Sequence, residues 1–272
     1  MTGKTTGLPR AASAILLREA GGGEPFEIYM LRRPADARFA PNVHSFPGGV
    51  LDREDADVAR AAIRPLPGGC DVARLHRRMA DQSIFASPDA ETSAALLVCA
   101  ARELFEEAGV LVAREEGGGL IPLDNGARWD GVREDLLAGR LAFGALLAEE
   151  GLTLAPDDLI YFAHWITPET SPIRFDTHFF LTVLPPGQLA SHWAGEMAAG
   201  EWVAPRAGLA RHARGELPMF PVQKQHLERF AGFDSLDALL AYARTKAVLP
   251  VLPVRGEGGR EVALPEEIAT CW

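Results

Sequence analysis

Apolar positions along the chain fall into short runs of strand period and longer runs of helical period, and the two alternate. Residues 11–18 and 26–33 are apolar or alternating runs separated by Gly21, Gly22 and Gly23, which predicts a hairpin. Residues 41–49 read as a strand and turn ending in Phe46, Pro47, Gly48 and Gly49. Residues 50–86 are rich in Asp and Arg and are broken by Pro and Gly at 65–69, so they read as an insertion with a helix over 71–80. A long helix is predicted next. Ser87 and Pro88 suit its start, Asp89 and Glu91 complement its positive end, and Gly109 is its natural stop. Residues 136–150 read as a second helical stretch, 159–166 and 177–184 as strands, and 201–203 as a short strand. Two helices follow near 222–230 and 235–245, then an extended pair over 248–264. Interleaved strands and helices predict an α/β layered domain.

The helix ending at Gly109 carries the chemistry. Turning about 100° per residue, it gathers Glu103, Glu106 and Glu107 within an arc of about 100° and sets Leu97, Ala101, Leu104, Phe105 and Ala108 opposite. Like charges three and four residues apart repel, and a bound cation removes that repulsion. Oxygen-only ligands favour a hard ion, Mg²⁺ or Mn²⁺. Arg102 stands beside the cluster and could tether a carboxylate. The competing reading is a solvated acidic face. Two features weigh against it. The charges sit at the helix end whose dipole disfavours them, and Gly109 and Val110 follow directly, as if the end were buried.

Composition narrows the partners. The chain has 272 residues, 47% hydrophobic and 24% charged, enough for a core without staples. A net charge of −10 excludes a general nucleic-acid binder but allows a small anion held by a metal and local arginines. Cys70, Cys99 and Cys271 are odd in number and widely spaced, as expected of reduced thiols in the cytoplasm. No apolar run approaches the roughly 18 residues of a membrane span.

The segment Arg102-Glu103-Leu104-Phe105-Glu106-Glu107-Ala108-Gly109-Val110 resembles the second half of the box that defines Nudix hydrolases, and Phe46-Pro47-Gly48-Gly49 resembles its first half, with Gly49 as the box glycine. Gly49 and Arg102 are 53 positions apart, so the box carries an insertion of 39 residues. Such a split box is similar to the branch of nucleoside diphosphate-linked moiety X motif 19, of coenzyme A diphosphatase type. Arg38-Phe39-Ala40-Pro41, Arg174-Phe175-Asp176-Thr177-His178-Phe179-Phe180 and Trp202-Val203-Ala204-Pro205 fit the same branch. Counted back from Arg102, the first box Glu falls on Ala94, which leaves an auxiliary carboxylate missing.

The resemblance implies a Nudix-type α/β/α sandwich with a mixed sheet, formed as a single domain over residues 8–272. It would carry an insertion at about 50–88 and a helical C-terminal extension at about 221–272. It implies divalent-metal-dependent hydrolysis of diphosphate linkages in nucleoside-diphosphate-linked small molecules, with coenzyme A or acyl-CoA as one substrate and ADP-ribose or a dinucleotide as the alternative. Glu103 and Glu107 would hold Mg²⁺ or Mn²⁺, with Glu106 completing or sharing the site. Glu196, six residues before Trp202, is the first candidate for general base, and Glu201 the second. Gly48 and Gly49 would let backbone approach an anion. Arg32, Arg33 and Arg38, just before the glycine turn, are candidates to grip phosphate, against the reading of a solvated strand edge. Arg74, Arg77 and Arg78 form a second basic cluster. His44, His164 and His178 form no ligand-spaced set and read as structural. A catalytically silent ligand sensor with the same fold is the competing class, and the insertion and C-terminal residues could serve a homodimer.

Overall fold

A computed structural model describes residues 7–37, 40–80, 87–123, 127–255 and 262–263. Strands β1 (Arg10–Glu19) and β2 (Phe26–Arg32) form the expected hairpin, pairing antiparallel with Leu17 opposite Ile28. β3 (His44–Ser45) extends β2, and β4 (Gly48–Val50) turns back onto the start of β1. β5 (Ile160–Ile166) and β6 (Asp176–Val183) pair antiparallel, and β6 joins β1 in parallel over Arg10 to Leu17. β7 (Ala199–Val203) pairs antiparallel with β2 over Ile28 to Arg32, and β8 (Pro250–Val251) flanks β5. The sheet is therefore mixed, in the order β3-β2-β1-β6-β5-β8, with β4 and β7 attached to β1 and β2. β9 (Val254–Arg255) and β10 (Val262–Ala263) make the separate extended pair expected near the C-terminus.

Both faces of the sheet are covered, which is why β1 and β5 read as nearly continuous apolar runs. Ala12, Ala14, Leu16, Tyr29 and Leu31 point into one core. It is shared with α1 (Arg53–Ala62), α2 (Val72–Ala80), α3 (Ala90–Ala108), α4 (Ala127–Leu137) and α5 (Phe143–Glu149). Ile15, Leu17, Ile28 and Met30 point into the other core, closed by α7 (Pro221–Phe230) and α8 (Leu236–Thr245). The α/β/α sandwich is thus observed. No helix among the described residues is long and apolar enough to cross a membrane.

Four elements differ from expectation. The long helix starts at Ala90, not Ser87, because Asp89 caps it by accepting from the Thr92 N–H at 2.7 Å. α1 was unexpected within the insertion; Asp52 caps it, and Asp55 returns a bond to the Asp52 N–H in a capping box. The stretch over 136–150 holds only the end of α4, which begins earlier at Ala127, then a break at Gly139 with φ 66°, then α5. α6 (Pro205–Ala213) is an added helix entered through Pro205.

Candidate active site

α3 delivers its carboxylates to the sheet edge because its other face is apolar. Leu104, Phe105 and Ala108 are buried in the core, and Gly109 ends the helix at φ 66° with its N–H on the Phe105 carbonyl. The last turn is not solvated: Glu107 is 8% exposed, and the Glu103 and Glu106 side chains only 13% and 15%. The acidic face is therefore pressed against the turn between β3 and β4.

Gly48 and Gly49 fit that contact. The Gly48 N–H donates to Glu107 Oε2 at 3.0 Å, and a Cβ at Gly49 would lie 2.3 Å from Glu103 Oε1. A Cβ at Gly48 would meet the Ala12 carbonyl at 2.6 Å. The two glycines thus make room for the carboxylates and for strand pairing.

Arg102 binds the group together. Its Nε and Nη2 donate to the two carboxylate oxygens of Asp55 at 2.9 and 3.2 Å, and its Nη1 to Glu103 at 2.8 Å and Glu106 at 3.0 Å. Burial opposes its charge, but the Asp55 bond and the Glu103 charge more than offset this and raise its pKa. Asp55 is the residue that sequence reasoning missed. The count back from Arg102 lands on Ala94, which is buried among apolar side chains. The count forward from Gly49 across five residues lands on Asp55, and this carboxylate is the one that meets Arg102. The chain's interruption thus lies between Asp55 and Arg102, and the box has an acidic residue after all.

Three carboxylates therefore crowd one guanidinium, and a fourth, Glu107, lies beside them with only the neutral Gly48 N–H as its bonded partner. Burial raises the pKa of Glu107 well above its ordinary value, Glu103 adds to this, and the Gly48 N–H opposes it. Burial pushes Glu103 up to about 7 against the pull of Arg102, and raises Glu106 likewise. The donor set lacks positive charge, is all oxygen, and is shielded from water. It fits a hard divalent ion, and Glu103, Glu106 and Glu107 would hold it.

A pH dependence follows for the metal-free protein. The folded pKa of Glu103, about 7, lies above its ordinary 4.5, so the folded state binds more protons than the unfolded state between these values. The Glu103 contribution to stability is then fully present below about pH 4.5 and falls as pH rises through that window. A cation needs the deprotonated oxygens, so Mn²⁺ is expected to raise the melting temperature more at about pH 8 than at about pH 5. Melts with and without Mn²⁺ at both pH values test this; a metal-free protein that gains stability across the window would contradict it.

The other candidates separate. Glu196, on an exposed turn, is close enough for its charge to raise both Glu106 and Glu107. Arg33 also acts on Glu107, whereas Arg32, one strand position away, acts on His44. Arg38 lies outside the described residues. Glu201 is committed elsewhere: Arg211 grips it at 2.6 and 3.2 Å and lowers its pKa, and His44 approaches at 3.3 Å. Arg78 bonds the Ala243 and Lys246 carbonyls, so the basic cluster of α2 ties down the end of α8. His164, Asp176 and His178 cluster in the core between β5 and β6. Their two imidazoles are stacked, with centroids 4.2 Å apart and planes 16° apart, and His164 Nε2 is already bonded to Asp176 at 2.5 Å. Their ligand atoms lie within 4.8 Å of one another, a set that their spacing in sequence does not show; as they stand, His164 is bonded to Asp176, and the Tyr161 hydroxyl meets His178 Nδ1 at 3.0 Å.

Arg133 of α4 was also missed. It is 2% exposed, burial pulls its pKa down to about 10, and the charges of Tyr29, Asp130, Glu196 and Glu107 oppose that fall.

The family model of the NUDT19 Nudix domain matches residues 8–230. The chain is 28% identical over 297 residues to the acyl-coenzyme A diphosphatase NUDT19 of Gallus gallus, covering 92% of this chain and 76% of that one. It is 25% identical over 256 residues to putative nudix hydrolase 7 of Caenorhabditis elegans, covering 94% and 72%. Among solved structures, it is similar to a NUDIX hydrolase from Alicyclobacillus acidocaldarius, with a TM-score of 0.72 and 28% identity over 87% of this chain and 96% of that one.

Proposed function

The chain belongs to the NUDT19 Nudix domain family and is a Nudix hydrolase, and from that premise we propose that it cleaves the diphosphate of coenzyme A or an acyl-coenzyme A with Mg²⁺ or Mn²⁺. Relatives named acyl-coenzyme A diphosphatase support the substrate. The reading rests on one observation above others: at a buried helix end Asp55, Glu103 and Glu106 share the Arg102 guanidinium, and Glu107 beside them is bonded to the neutral Gly48 N–H. Such a site is short of positive charge until a divalent ion enters.

When bound, the ion offsets the charge of the diphosphate and lowers the pKa of a water beside it. The protein's own groups do the rest. Glu103 and Glu107 are the primary ligands and Glu106 shares the site. Asp55 takes the place of the first box carboxylate by holding Arg102, which keeps Glu103 and Glu106 aligned. Glu196 accepts the proton of the attacking water, a role suited to a carboxylate that is exposed yet acts on both Glu106 and Glu107. Arg33 grips a phosphoryl oxygen. Arg32 and Arg38 are the further candidates to grip phosphate. The domain spans residues 8–272.

A hydrolysis panel of coenzyme A, acyl-coenzyme A, ADP-ribose, NADH and dinucleoside polyphosphates, with and without Mg²⁺ or Mn²⁺, tests the reading. The coenzyme A compounds are expected to give the highest kcat/KM, each split into two phosphomonoesters. Preference for ADP-ribose would overturn the substrate assignment, and no metal-dependent turnover of any diphosphate would overturn the reaction.

A further inference from the structure

Arg133 is buried where three segments meet. Its Nε donates to the Glu106 carbonyl at 2.6 Å, and its Nη1 to the Ser191 carbonyl at 2.9 Å and the Ser191 hydroxyl at 3.5 Å. The guanidinium lies 5.3 Å over the Trp193 ring. Its bonds go to neutral oxygens at the end of α3 and at the start of the segment that carries Glu196. Its Nη2 is buried with no hydrogen-bond partner among the described residues. A buried cation without a bonded carboxylate costs stability, so stabilisation alone is a poor reason for an arginine here.

The Glu196 segment is tied at both ends. The Ser191 N–H donates to the Ala108 carbonyl at 2.9 Å, on the same helix end that Arg133 grips. At the far end, the Ala198 N–H donates to the Arg32 carbonyl at 2.8 Å, and Met197 is buried. Between the ties is a turn in which the Glu196 and Met197 N–H groups share the Trp193 carbonyl at 3.1 and 2.9 Å. Gly109 leaves space for the join, since a Cβ there would meet Arg133 Nη1 and the Ser191 hydroxyl, each at 3.1 Å.

We infer that Arg133 is a positioning residue of the hydrolase: its planar fork spans the Glu106 and Ser191 carbonyls and so fixes Glu196 against the carboxylates of α3. The inference rests on the reading of Glu196 as the base. Lysine cannot do the same, because its ammonium lacks a fork that bonds two oxygens at fixed spacing.

The test is a double-mutant cycle run on the full chain with Mn²⁺. Arg133→Lys, which keeps the charge and the aliphatic stem, and Arg133→Gln, which keeps a donor, are each combined with Glu196→Gln. Arg133→Lys alone is expected to lower kcat on the order of 10- to 100-fold, as a small misplacement of a reacting group does, with KM and Mn²⁺ affinity unchanged. In the Glu196→Gln background either substitution adds no further loss, because both remove the same contribution. Losses that multiply would overturn the inference while leaving the metal-dependent hydrolase intact. Full activity of Glu196→Gln would overturn both the base assignment and the inference.

Amide hydrogen exchange supplies a readout that needs no turnover. Arg133→Lys is expected to speed exchange at Ser191, Met197 and Ala198 and to leave α3 before Arg102 unchanged. Unchanged exchange at those three amides would overturn the clamp whatever the activity shows, whereas absence of Mn²⁺-dependent turnover in the wild type would overturn the functional reading and, with it, the catalytic purpose of the clamp.

Discussion

Glu107→Gln is expected to lower kcat on the order of 10³-fold, about 4 kcal/mol of the several that a divalent ion supplies, while raising the melting temperature of the metal-free protein. The two effects have one cause. Glu107 is buried, its charge is opposed by that of Glu103, and its bond is to the neutral Gly48 N–H. Glutamine keeps an oxygen for that N–H and removes the charge. The metal-free protein thereby loses a repulsion and the ion loses a ligand. The Mn²⁺-induced rise in melting temperature should shrink with the activity. Steady-state kinetics and melts at about pH 8, above the Glu103 value of about 7, check both signs. A variant that loses stability without metal and keeps its response to Mn²⁺ would show Glu107 to be a structural acid.

Asp55→Ala carries the second large effect. Removing one partner of a buried ion pair leaves the other uncompensated, at a cost of about 3 kcal/mol or more. Here Asp55 is 1% exposed, receives two bonds from Arg102, and also closes the capping box of α1. Released from Asp55, Arg102 can turn wholly to Glu103 and Glu106 and compete with the metal for their oxygens. A loss of about 10- to 100-fold in metal affinity accompanies such changes around a metal site. Denaturant unfolding and Mn²⁺ titration measure the two. Adding Ala94→Glu to the same background is expected to rescue neither, because position 94 is buried in the apolar core and is not the position that meets Arg102. Rescue by Ala94→Glu would place the box acid on α3 and contradict the assignment to Asp55.

The helix that carries the site was legible because its signals are local. The acidic arc, the apolar arc and Gly109 all lie within one stretch, and α3 follows them to its last residue. β1, β2, β5 and β6 were legible for the same reason, since apolar runs buried on both faces leave little else for them to be. α1 was harder to see. Its buried apolar residues are only Val58, Ala59 and Ala62, and the surrounding charges resemble a loop, although Asp52 and Asp55 already spell a capping box. Counting back from Arg102 across the insertion also hid Asp55, which only the count forward from Gly49 reaches. Arg133 had no local signal. Its meaning depends on carbonyls at Glu106 and Ser191, 27 and 58 residues away, and on the space left by Gly109. Glu201 shows the converse, a carboxylate well placed in sequence whose bonds to Arg211 and contact with His44 exist only in three dimensions.

The central claim is that a divalent ion sits on the last turn of α3. Anomalous diffraction from crystals grown with Mn²⁺ locates it directly. The account predicts a peak within bonding distance of Glu103 and Glu107 oxygens and beside Glu106, lost in Glu107→Gln. A peak at the His164–Asp176–His178 cluster, with none at α3, would contradict it.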